Sequence, residues 1–81
     1  MKQIYILTAY NLKQNFYIEK CYFTNYNKAL KSKEYLINYL IENHSLDKNN
    51  QVKHINSTIL DNSYNVTLIR EKIKTQIIKF T

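Results

Sequence analysis

Eighty-one residues pass without one glycine or proline, and that double absence constrains the fold before any other feature. Glycine enters left-handed backbone at no steric cost, and proline presets the φ of a turn. Without them every tight turn must be built from asparagine, aspartate and serine, which tolerate the left-handed region or bond their own backbone. The segments that qualify are Asn-Leu-Lys-Gln-Asn at 11–15, the polar run at 45–50 and Asp-Asn-Ser at 61–63. The same absence rules out glycine-rich phosphate loops, because nothing lets the backbone approach a phosphate closely.

Between those turns the patterning is strong. Residues 3–10 are β-branched and aromatic, with Ile4 and Ile6 on one alternating set and Tyr5, Leu7 and Ala9 on the other, which suits a central strand. After a five-residue hairpin loop at 11–15, strand character resumes over 16–23. There Phe16, Ile18, Lys20 and Tyr22 are expected on one face, with Tyr17, Glu19, Cys21 and Phe23 on the other. At Thr24-Asn25 the period changes from two to 3.6, since both residues are good N-caps and helical spacing follows to about His44. Tyr26, Ala29, Leu30, Leu36, Ile37, Leu40, Ile41 and His44 form the expected core stripe, with Lys33 snorkelling inside it. Lys28, Lys31, Ser32, Tyr35 and Tyr39 fall on the opposite side. Residues 51–60 read as one extended strand and 64–69 as its hairpin partner. The tail at 70–81 fits a helical stripe by spacing and a strand by β-branched content, and is read as a long or broken strand. The expectation is therefore a single α+β domain over 1–81. Its order is β-β-α-β-β, with room for one further terminal element, and its antiparallel sheet carries the helix on one face.

A domain of this length buries only about 60% of its unfolded surface, so its core is thin. Cys21 alone cannot form an internal disulfide, and with His44 and His54 it makes no structural zinc set, so no metal or cofactor is expected. A lone cysteine, no signal-like segment and no long apolar run together give a cytoplasmic expectation with no membrane partner.

Twelve basic residues against six acidic ones give a net charge of +6. Such a balance favours nucleic acid or acidic protein partners. It also has a duller source: asparagine, lysine, isoleucine and tyrosine fill about half the chain, and all four have A/T-rich codons. Every basic residue except Arg70 is a lysine, a point charge without the planar fork that reads bases bidentately.

The catalytic search ends quickly. Cys21 paired with His44 or His54 would be the one nucleophile and base, but it lies mid-strand among aromatics and reads first as a small hydrophobe. The carboxylates are scattered beside lysines and read as surface pairs, so the chain is expected not to be an enzyme. Two surfaces remain. The first is the helix face of Lys28, Lys31, Tyr35 and Tyr39, where aromatic rings interleave with charge as in interface hot spots or base-stacking platforms. The second is the basic stripe of Arg70, Lys72, Lys74 and Lys79, suited to phosphate or, equally, to guarding a sheet edge.

The run Lys2-Gln3-Ile4-Tyr5-Ile6-Leu7-Thr8, followed by Tyr22-Phe23-Thr24-Asn25-Tyr26-Asn27-Lys28-Ala29-Leu30, resembles small uncharacterised proteins of phages and mobile elements. In these a strand ending in Phe-Ser/Thr precedes a helix with an early alanine. The resemblance covers the first half and implies a β-β-α core. It also implies a class that includes inhibitors of host machinery such as anti-CRISPR proteins, whose partner is a host protein or ribonucleoprotein complex. The +6 charge departs from the acidic, nucleic-acid-mimicking members of that class. Two other readings stay open from the residues themselves: a basic DNA- or RNA-binding regulator, and an assembly module that forms a homodimer.

Overall fold

The computed structural model describes residues 2–73. The elements run β1 (Lys2–Asn11), β2 (Phe16–Phe23), α1 (Tyr26–Asn43), β3 (Gln51–Lys53), β4 (Ser57–Leu60) and β5 (Tyr64–Ile73). The strands form one antiparallel sheet in the order β2-β1-β5-β4-β3, with α1 packed on one face. The class is α+β, as the patterning indicates, and β1 is an inner strand, paired on both sides.

The turn chemistry follows from the missing glycines. The residues with positive φ among those described are Asn15, Ser45, Asp61 and Asn62, three residue types whose short polar side chains make that region tolerable. In the first hairpin Asn11 ends β1 and its Oδ1 accepts from the N–H groups of Lys13 and Gln14, both at 3.0 Å. The loop proper is thus 12–15, one residue shorter than expected, because Asn11 pairs with Phe16 in the ladder. Leu12 N–H donates to the Ser63 carbonyl at 2.8 Å, so the first hairpin and the β4–β5 turn lock together at one end of the sheet.

Of the two candidate caps, Asn25 is the one used: its Oδ1 accepts from Lys28 N–H at 3.1 Å. The buried core joins Leu7 and Ala9 of β1, Ala29 and Leu40 of α1, Leu60 of β4, and Tyr64, Val66 and Leu68 of β5. Ala9 and Ala29 are fully buried, and their small side chains let the helix approach the sheet closely. Leu36, Ile37 and Ile41 pack at the margin. Tyr26, Leu30 and His44, all expected in the core stripe, are exposed. Tyr26 lies in the first helical turn, where it meets Tyr5 with ring centroids 5.2 Å apart. His44 is the C-cap, with φ −114° and ψ 9°, so it leaves the helical wheel and its ring lies against Tyr64.

Two further expectations are corrected. Residues 51–60 are not one strand: the chain folds back at 54–56, and β3 pairs antiparallel with β4 through Gln51↔Leu60, Val52↔Ile59 and Lys53↔Thr58. The observed order is β-β-α-β-β-β, the extra strand arising from this division. The run has no period-two apolar face for a continuous strand to bury, and its β-branched Ile55 sits at the hairpin tip, 96% exposed. In β2 a bulge makes Tyr17 rather than Ile18 the partner of Tyr10, so Tyr17 leaves the face of Glu19, Cys21 and Phe23. Its ring stands edge-on to Tyr10, with centroids 4.8 Å apart.

Candidate binding surface

Helical spacing at 28, 31, 35 and 39 places the four expected residues along one stripe of α1, and all four are exposed. Tyr35 and Tyr39 are 72% and 49% exposed, and their rings stack with centroids 6.4 Å apart and planes 22° from parallel. One helical turn separates them, so the backbone itself sets the stack. The tyrosines do not stand alone in solvent. They border a groove of about 340 Å³ between α1 and β2, lined also by Ser32 and Leu36 of the helix and Glu19, Cys21 and Phe23 of the strand. Sequence spacing alone does not mark the strand wall of this groove as part of a site. Its trace in the sequence is the alternation that puts Glu19, Cys21 and Phe23 on one face.

Cys21 is half-buried in that wall, and its Sγ lies 3.5 Å from Glu19 Oε1. Burial, and then the neighbouring Glu19 carboxylate, push the thiol above its ordinary pKa. Both disfavour the thiolate, so the sulfur behaves as a neutral, weakly polar part of the wall. His44, one of its two candidate bases, lies instead beside the buried Tyr64, whose Oη is 3.3 Å and 3.4 Å from the ring nitrogens. Among the described residues no group of three histidine, cysteine or carboxylate side chains could hold a metal.

The second expected surface is partly within the described residues. Arg70 and Lys72 lie on β5, two residues apart and exposed, so they share a face. That face is the helix side, because Val66 and Leu68, of the same parity, are buried in the core. Lys74 and Lys79 lie outside the described residues. Arg70 does not join the tyrosine stripe. It lines a separate groove of about 710 Å³ with Tyr5, Tyr26, Leu30, Lys33, Ile55 and Leu68, among others. The two surfaces expected from sequence are therefore distinct, and Lys33 lines the same groove as Arg70.

Compared with known proteins, the chain matches no family model, no curated protein and no solved structure. Among the described residues no helix is long and apolar enough to cross a membrane.

Proposed function

We propose that this chain is a non-enzymatic binding protein that engages a protein partner through the α1 face of Lys28, Lys31, Tyr35 and Tyr39. The observation that carries this reading is the stacked, exposed Tyr35/Tyr39 pair bordering a groove whose strand wall is Glu19, Cys21 and Phe23. Rigid aromatic rings supply large contact area at little conformational cost, and a partner residue seated between helix and strand would desolvate them. Lys28 and Lys31, further along the stripe, would form the charged rim. The resemblance of the first half to phage and mobile-element proteins points to the class of partner: a host defence or nucleic-acid-processing complex, which the bound chain inhibits.

The test is affinity capture from host lysate, run in parallel with and without nuclease. A stoichiometric protein partner retained after nuclease, and lost with the double variant Tyr35→Ala and Tyr39→Ala at unchanged circular dichroism, supports the proposal. Recovery of nucleic acid alone, with retention falling steeply as salt rises, assigns the face to base stacking and phosphate contact instead. Capture unaffected by the double variant overturns the site.

A further inference from the structure

β5 is paired with β1 along its whole length, from Asn11↔Tyr64 to Lys2↔Ile73, but with β4 only from Leu60↔Tyr64 to Ser57↔Thr67. One more bond, Leu68 N–H to the Asn56 carbonyl at 2.9 Å, closes that side before the chain turns away at 54–56. In an antiparallel ladder the N–H and C=O of one residue point the same way, and the direction alternates along the strand. The backbone groups of Arg70 and Lys72 therefore point to the side of Leu68, where no strand pairs with them among the described residues. Beside this open edge lies the groove of about 710 Å³, walled by Tyr26, Leu30 and Lys33 of α1 and floored by Tyr5 and Leu68.

On the groove side of this edge the charges among the described residues have one sign. Lys33 and Arg70 line the groove, and no carboxylate is among its lining residues. Lys72 is exposed on the same face of β5. Glu71 belongs to the opposite face, where it lines a different groove with Ile6, Thr8 and Ile69.

We infer that the β5 edge at Arg70 and Lys72, unpaired among the described residues, is a strand-addition site for an extended acidic peptide segment of a partner protein. The peptide lies in line with β4, antiparallel to β5, and completes the ladder that β4 leaves unfinished. Alternate side chains point to the helix side, where carboxylates opposite Arg70 and Lys72 meet those cations and the one nearest the groove reaches Lys33. The intervening side chains lie over the open face beside Ile69 and are best apolar and β-branched. A peptide suits the edge better than a polynucleotide, because the edge alternates donors with acceptors and a phosphate chain can use only the donors. The site is separate from the Tyr35/Tyr39 stripe.

The probe is an acetylated, amidated seven-residue peptide of alternating glutamate and valine, followed by fluorescence anisotropy and residue-resolved amide hydrogen exchange on the full chain. Binding should slow exchange at the Arg70 and Lys72 amides, while the neighbouring Ile69 and Glu71 amides, already directed at β1, change little. Arg70→Glu and Lys33→Glu should each weaken binding roughly tenfold. N-methylation of the peptide at alternate positions should abolish binding in one parity only. The double variant Tyr35→Ala and Tyr39→Ala should bind the peptide unchanged. Equal binding of both N-methylated parities, protection mapped elsewhere, or no binding overturns the inference. So does a single-stranded oligothymidine that binds more tightly and shows the same sensitivity to Arg70→Glu. Should either charge variant lose its fold, the N-methylated pair still decides.

Discussion

At Asp61 three demands meet on one residue. Its φ is 47°, its N–H donates to the Asn50 carbonyl at 2.8 Å, and its carboxylate accepts from Asp47 N–H and Asn50 Nδ2, both at 3.0 Å. The side chain so ties the loop after α1 to the β4–β5 turn. Its pKa lies below the ordinary aspartate value, first because of the Asp47 N–H, then Asn50, with the Lys13 charge also contributing. A carboxylate with a lowered folded-state pKa stabilises fully above its unfolded value of about 3.9 and loses that contribution as pH falls through the folded value. Urea melts between pH 6 and pH 2 should therefore show an acid-side loss of stability that is smaller in Asp61→Asn. Asn65 makes the opposite case. Its Oδ1 is buried without a partner, and its cross-strand neighbours are Tyr10 and Ile59. Asn65→Val removes an unsatisfied acceptor and adds a β-branched side chain, so it should stabilise by about 1 kcal/mol in denaturant melts.

Among the elements, α1 is held by its cap and by few large side chains. Asn25→Ala should cost about 1 kcal/mol by removing the acceptor for Lys28 N–H, seen as a lowered urea midpoint with unchanged slope. Leu40, 1% exposed, is the largest fully buried helix residue, and Leu40→Ala should cost about 2–5 kcal/mol, enough to populate the unfolded state in a domain this small. Ile55→Asn at the β3–β4 tip should stay within about 0.5 kcal/mol of the parent, because the side chain is 96% exposed. At the far edge of the sheet, β2 exposes Phe16, Tyr17, Ile18 and Tyr22, interrupted by the charged pair Glu19 and Lys20 and by the bulge. Charges and bulges on an edge oppose strand-to-strand association.

For the molecule as a whole, one helix must cover one face of a five-stranded sheet, and it cannot reach every part. The cover is complete over Leu7, Ala9 and Val66 and ends in open grooves on both flanks, one at β2 and one at the end of β5. Both candidate surfaces are consequences of that mismatch in width. Replacing Glu19 and Lys20 together by valine should raise the apparent mass in light scattering, because it removes the charges that break up the apolar edge of β2. An unchanged mass would show that the bulge alone protects the edge.

Local chemistry wrote much of this fold into the sequence. The cap at 24–25, the helix to its last turn, the inner strand β1 and the asparagine- and aspartate-built turns each depend on residues within a few positions of one another. The exposed tyrosine stripe was legible for the same reason, since helical spacing alone puts Tyr35 and Tyr39 on one face. Tertiary structure alone decided the rest. A bulge that turns Tyr17 away depends on how β2 meets β1. Lys33 and Arg70 line one groove although they stand 37 positions apart, and no local period encodes that. Periodicity tells a side chain which way to point, whereas the width of the sheet and the reach of the helix determine what it finds there.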